Sequence, residues 1–156
     1  MIRAIDHINI VVKDLERSVR FYCDVLGFVK THDVYMEGDW IEAIVGLRGV
    51  KGKVAFVEPP GGGVRFELLE YVAPQGVVLP ENAKPNTHGL RHVAFRVDDI
   101  AAMTAKLRAA GVTLFSDPVK VPGGVVKFSG GDKTLVYFLD PDDVILELAE
   151  YGGAKG

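Results

Sequence analysis

A single cysteine, Cys23, stands in 156 residues, so the chain has no disulfide framework and no thiolate metal cluster. A lone cysteine within a helical pattern reads as packing rather than as a nucleophile. There is no basic excess either. Lys and Arg number 18 against 21 Asp and Glu, for a net charge of −3, which argues against a nucleic-acid or anionic-membrane surface. No apolar run approaches the roughly 18 residues of a membrane span. The opening Met1-Ile2-Arg3-Ala4-Ile5-Asp6 becomes charged too early for a signal peptide, giving a cytoplasmic expectation. The glycine clusters Gly61–Gly63, Gly123-Gly124 and Gly130-Gly131 lack a following Lys-Ser/Thr or a helix. They read as hairpin turns, not phosphate loops.

What the chain does have is a repeat. Val64-Arg65-Phe66-Glu67-Leu68-Leu69-Glu70-Tyr71 returns as Val144-Ile145-Leu146-Glu147-Leu148-Ala149-Glu150-Tyr151, with Glu67 and Glu147 offset by 80 residues. Asp6-His7-Ile8 followed by Lys13-Asp14-Leu15 answers Arg91-His92-Val93 followed by Asp98-Asp99-Ile100, at an offset of 85 between the two His. Such self-similarity fixes architecture before any single motif does. Each half opens with a His in an apolar strand and closes with a Glu in another.

The same plan emerges from periodicity. In the first half, Ile5–Val12 reads as a strand. Asp14 caps a helix whose Leu15, Val19, Tyr22 and Leu26 recur at helical spacing until Gly27. Strands are expected over Phe28–Tyr35, Lys53–Val57 and Val64–Tyr71, with a short helix over Trp40–Leu47. Val72–Leu90, rich in Pro, Asn and Gly, reads as a linker. The second half gives a strand over Leu90–Val97 and a helix over Asp99–Ala110 ended by Gly111. Strands are expected near Val112–Phe115, Val125–Phe128, Leu135–Leu139 and Val144–Tyr151. The expected fold is α+β: one domain over 1–156, built of two tandem βαβββ modules, about 1–73 and 88–152. Together they form a concave mixed sheet around a metal site.

Strand alternation places His7 with Asn9 and Val11, opposite Ile8, Ile10 and Val12, which should pack under the helix. Glu67 falls with Arg65 and Leu69, His92 with Ala94 and Arg96, and Glu147 with Ile145 and Ala149. Four metal-competent side chains at duplicated positions, all away from the helix-packing faces, point to one divalent metal held by His7, Glu67, His92 and Glu147. A carboxylate in such a strand needs a metal, an Arg or water to compensate it. Glu70 and Glu150 lie on the opposite face and read as solvated charge, and His32 and His88 as surface residues.

The run from Ile5-Asp6-His7-Ile8 through Lys13-Asp14-Leu15-Glu16-Arg17-Ser18 to Phe21-Tyr22 and Val25-Leu26-Gly27-Phe28 resembles the opening of the vicinal oxygen chelate superfamily. Arg91-His92-Val93-Ala94-Phe95, Asp140-Pro141-Asp142 and Leu146-Glu147-Leu148 carry the same resemblance. The family includes glyoxalase I, methylmalonyl-CoA epimerase, bleomycin- and fosfomycin-resistance proteins and extradiol dioxygenases, and the resemblance implies paired βαβββ modules with a divalent metal in a concave cavity. Dioxygenases and fosfomycin enzymes carry His where this chain has Glu67; the epimerase usually has Gln there, and its catalytic Glu aligns with Gly49. The His, Glu, His, Glu set of bacterial glyoxalase I matches His7, Glu67, His92 and Glu147. Its glutathione-binding Arg, however, falls on Val11, and the usual Gly after Asp-Pro-Asp is Asp143.

The expected function is therefore a divalent-metal-dependent lyase or isomerase of the glyoxalase I type (lactoylglutathione lyase-like), with Ni, Co, Zn, Mn or Fe as the metal. Four protein ligands leave adjacent positions for two vicinal oxygens of a small-molecule substrate. Their charge would be stabilised as an enolate or enediolate forms when a proton beside a carbonyl is removed. Glu67 or Glu147 is the candidate base, with Glu42 a further one; Arg65, Arg96 and Asn9 are candidate substrate contacts. The alternatives are a methylmalonyl-CoA epimerase-like racemase and a metal-free, resistance-type binding protein. A homodimer is expected because open sheets must cover their edges.

Overall fold

The computed structural model describes residues 1–122 and 132–152. The expected strand Val125–Phe128 and the turns at Gly123-Gly124 and Gly130-Gly131 lie outside the described residues. The chain forms two compact units, Met1–Leu79 and Pro80–Gly156. Each is built on a four-stranded mixed sheet, giving α+β architecture with two βαβββ modules.

In the first unit the elements run β1 (His7–Val11), α1 (Leu15–Arg20) with a π-helical continuation (Phe21–Val25), β2 (Val29–Glu37), α2 (Asp39–Val45), β3 (Lys51–Glu58) and β4 (Arg65–Ala73). The sheet order is β1-β4-β3-β2, so the first and last strands pair, and they do so in parallel. The spacing predicts one α-helix as far as Leu26; instead the last turn widens, with Leu26 N bonded to Phe21 O five residues back. The widened turn keeps both Phe21 and Tyr22 buried. The Tyr22, Phe28 and Phe66 rings pack with centroids 5.6–5.8 Å apart, fixing α1 to the face that carries Phe66 and Leu68. Gly27, at φ +82°, then turns the chain into β2.

The opposite face of this sheet is not left open. Met36, Val54 and Leu69 are buried there with Ile41 of α2 and Val50. Leu69, expected beside Glu67, is thus a core residue on the face that carries the ligand candidate.

The second unit runs β5 (His92–Arg96), α3 (Ile100–Ala109), β6 (Val119–Lys120), β7 (Asp132–Leu139) and β8 (Ile145–Gly152), in sheet order β5-β8-β7-β6, again with first and last strands parallel. The expected strand Val112–Phe115 is reduced to a bridge between Leu114 and Phe138. Pro118, which has no amide proton to give a ladder, stands between it and β6. Leu107, Phe138, Leu146 and Leu148 are fully buried.

Matching caps start the two long helices. Asp14 Oδ1 accepts from Arg17 N at 2.9 Å, and Asp99 Oδ1 from Ala102 N at 2.8 Å. Glu70 and Glu150, expected to be solvated, instead reach the first helical amides, Leu15 N at 3.0 Å and Ile100 N at 2.6 Å. Those amides have no intrahelical acceptor, so a carboxylate aimed from the neighbouring strand is more favourable there than in water.

Candidate metal centre

Parallel pairing of the terminal strands brings each His to its Glu. In the first unit His7 lies opposite Arg65, and Asn9 opposite Glu67. His7 Nε2 stands 3.3 Å from Glu67 Oε2. Its other nitrogen, Nδ1, is 2.8 Å from Asp6 Oδ2, which also accepts from Arg65 NH2 at 2.7 Å. The hydrogen bond from His7, followed by that from Arg65, holds the Asp6 carboxyl below the usual carboxylate range. With Asp6 at Nδ1, a ring that carries its only proton on that nitrogen would turn the lone pair of Nε2 towards Glu67. Two acceptors facing each other at this distance repel unless a cation or proton joins them. A carboxylate that orients a ligating imidazole is what such a metal ligand needs.

Asn9 Nδ2 donates to Glu67 Oε2 at 2.9 Å and to Glu67 O at 3.4 Å. The Arg65 guanidinium lies 5.1 Å from the centroid of Phe56, which also stacks on His32 at 4.5 Å and 15°. Across the sheet Asn9, Glu67, Phe56 and His32 form one row. His32 is exposed, as expected, but shares the face of the ligand pair.

The second unit repeats the geometry with different neighbours. His92 lies opposite Ile145 and Ala94 opposite Glu147, and His92 Nε2 is 3.4 Å from Glu147 Oε2. Here Asn9 is replaced by Ala94, Arg65 by Ile145, and Phe56 by Tyr137 in register with the Glu. Burial, then the charge of Glu147, pushes the Tyr137 hydroxyl up. Glu147 Oε1 accepts from Lys133 Nζ at 2.8 Å, and that bond is the main cause of a raised Lys133. Lys133 lies outside the strand that the sequence predicts, which begins two residues later at Leu135, whereas β7 starts at Asp132.

The remaining candidates, Glu42 and Arg96, contact other groups. Glu42 accepts from Gly49 N at 2.7 Å and meets Arg48 NH1 at 3.6 Å, so its carboxylate closes the turn between α2 and β3. The Arg96 guanidinium lies 5.3 Å from the ring centroid of Tyr151. A cavity of about 580 Å³ in the first unit lies against α1, lined by Val19, Lys30, Tyr35 and Lys53 among others, and by none of the ligand candidates. Among the described residues no three of His, Cys, Asp and Glu converge in a ligand cluster; each unit carries one His–Glu pair.

A sequence profile of the Glyoxalase/Bleomycin resistance protein/Dioxygenase superfamily matches residues 4–148. The chain belongs to this superfamily. It is 34% identical over 155 residues to the uncharacterized protein YaeR of Escherichia coli K12, covering 96% of this chain and 97% of that protein. It is 31% identical over 149 residues to the 2-epi-5-epi-valiolone epimerase of an Actinomyces species, covering 93% and 78%. The crystal structure of a glyoxalase family protein from Bacillus cereus superposes with a TM-score of 0.81 at 26% identity, covering 98% of this chain and 97% of that one. The superfamily supports metal-dependent chemistry of the glyoxalase or epimerase kind. No helix among the described residues is long and apolar enough to cross a membrane.

Proposed function

We propose that the protein is a divalent-metal-dependent lyase or isomerase of the glyoxalase I type, acting on a small molecule with two vicinal oxygens. The observation that carries this reading is the facing of an imidazole Nε2 and a carboxylate Oε2 in both modules, at 3.3 and 3.4 Å. A neutral nitrogen donor and a carboxylate oxygen suit Ni, Co, Zn, Mn or Fe. On this reading His7, Glu67, His92 and Glu147 hold one ion, the two units work as one domain, and the pairs meet within one chain or between two copies of a homodimer. The bound ion supplies charge stabilisation for substrate oxygens.

The chain's own residues then do the rest. Asp6 and Arg65 fix the His7 ring, and Asn9 fixes Glu67. Arg65 uses NH2 on Asp6, and its fork carries further donors to contact an anionic substrate group; Arg96 and Asn9 are the other proposed contacts. Glu67 or Glu147 accepts the proton removed beside the carbonyl. Glu42 is assigned to its turn rather than to the chemistry. An epimerase-like racemase is the second reading, supported by the likeness to the valiolone epimerase, and it uses the same proton abstraction. On this reading the protein works in the cytoplasm, without a nucleic-acid or membrane partner.

Solvent deuterium exchange at the carbon beside the carbonyl tests both readings, with glyoxalase-type hemithioacetals and 2-substituted acyl-CoA thioesters as probes. Exchange is expected with metal-loaded protein, and Glu67→Gln or Glu147→Gln should lower it by about 10²–10⁴-fold while keeping a ligand oxygen. Exchange that persists unchanged in both variants overturns the base assignment. Failure to bind any divalent ion would instead favour a metal-free binding protein.

A further inference from the structure

The two carboxylates of the ligand set are held in different ways. Glu147 is almost closed off, its side chain 4% exposed, and Oε1 is taken by the ammonium of Lys133, itself 17% exposed. Oε2, the oxygen facing His92, is left to a ligand role. A charge-assisted bond of 2.8 Å in a buried setting resists rotation of the carboxylate far more than the same bond in water.

Glu67 is held by a weaker, neutral donor, and on the other oxygen. Asn9 Nδ2 binds Oε2, the same atom that faces His7. The position matching Lys133 in the first unit is Gly52: the two lie opposite the repeated Tyr151 and Tyr71. No side chain fits there without displacement, since a Cβ would meet Leu69 Cδ1 at 3.1 Å and Met36 Cε at 3.2 Å. Gly52 thus packs tightly against the apolar cluster under α2 and brings no ammonium to the position that Lys133 holds in the second unit, and the Glu67 side chain is more exposed, at 18%.

We infer that Lys133 is a positioning residue that would confine Glu147 to single-oxygen ligation through Oε2, making His92–Glu147 the fixed half of the ligand set and Glu67 the less constrained carboxylate. This rests on the metal-site reading above. It divides the labour between two Glu residues that the repeat makes look equivalent.

The test is Co(II) binding, by calorimetry and by visible absorption, in the full-length protein and in Lys133→Met, Lys133→Arg and Asn9→Ala. Loss of a residue that orients a metal ligand typically weakens affinity about 10–100-fold. That loss is expected for Lys133→Met, together with a Co(II) spectrum shifted towards higher coordination as Glu147 becomes bidentate. Lys133→Arg should recover most of both, and Asn9→Ala should change affinity by less than Lys133→Met. A Lys133→Met protein that folds, binds Co(II) as tightly as the unaltered chain and gives the same spectrum overturns the inference. Infrared difference spectra of the unaltered protein with and without metal serve if the variants do not fold. A wide splitting between the two carboxylate stretches, the mark of single-oxygen ligation, is expected; only narrow, bidentate splittings would overturn the inference. Absence of Co(II) binding by the unaltered chain sinks the metal-site reading itself, and this inference with it.

Discussion

The Glu70 carboxylate accepts the amide proton of Leu15 at 3.0 Å, so the strand that carries a ligand candidate also caps the first helix of its module. Glu150 does the same for Ile100. Glu67 and Glu70, three residues apart on one strand, face opposite sides of the sheet and serve different ends. Loss of Glu70 or Glu150 to Ala should each cost about 1 kcal/mol, the usual scale for a helix cap. Thermal denaturation would show the loss, and metal stoichiometry should stay unchanged. An unaltered melting temperature in both variants contradicts the capping role.

Asp143 adopts φ +63°, in the left-handed region. It sits in a turn that Asp140 organises, with Oδ1 accepting from Asp142 N and Val144 N, both at 2.8 Å. Asp143→Gly should stabilise the protein by about 0.5–1 kcal/mol, since glycine reaches this conformation without the Cβ penalty. Asp140→Ala removes the acceptor of two amides and should cost about 1–3 kcal/mol. Denaturant midpoints for the two variants must move in opposite directions.

Metal removal should lower thermal stability. A ligand bound only by the folded form adds about 2.7 kcal/mol at one hundred times its dissociation constant. Elemental analysis of His7→Ala and Glu147→Ala should find the ion lost or strongly depleted. Stoichiometric metal in both would rule out the assignment.

Burial, followed by the charge of Asp24, pushes the Cys23 thiol up. A raised folded pKa means the thiol's contribution to stability is complete below its unfolded value and is lost as pH climbs through the folded one. Cys23 should therefore react with iodoacetamide more slowly in the folded than in the unfolded chain at pH 8, and the gap should narrow as pH rises. Equal rates at pH 8 would show an ordinary thiol.

A homodimer predicts a scattering mass of twice 16.9 kDa. A monomer mass at micromolar concentration would remove the option of ligands shared between two copies.

The repeat made the ligand pairs legible, because two-residue alternation and a fixed offset suffice to put His7 and Glu67, or His92 and Glu147, on one face of adjacent strands. Burial of Ile10, Val12, Phe66 and Leu68 follows from the same count. What alternation does not reveal is what covers a face. Alternation puts Leu69 beside Glu67, away from the α1-packing face, yet α2 buries it, and it leaves Glu70 to water, yet a helix terminus meets it. Lys133 belongs to the same class: its reach to Glu147 runs along the strand, beyond its direct partner Tyr151, and no period in the sequence encodes that.

The parallel pairing of first and last strands has a kinetic meaning. His7 and Glu67 stand 60 residues apart in the chain, and His92 and Glu147 stand 55 apart, yet each pair touches only when its module has closed end to end. Closing such loops is the slow, entropically costly part of forming a sheet of this kind. Each half-site depends on that terminal pairing, so an ion that needs both residues of a pair is expected to bind after the strands have met rather than before.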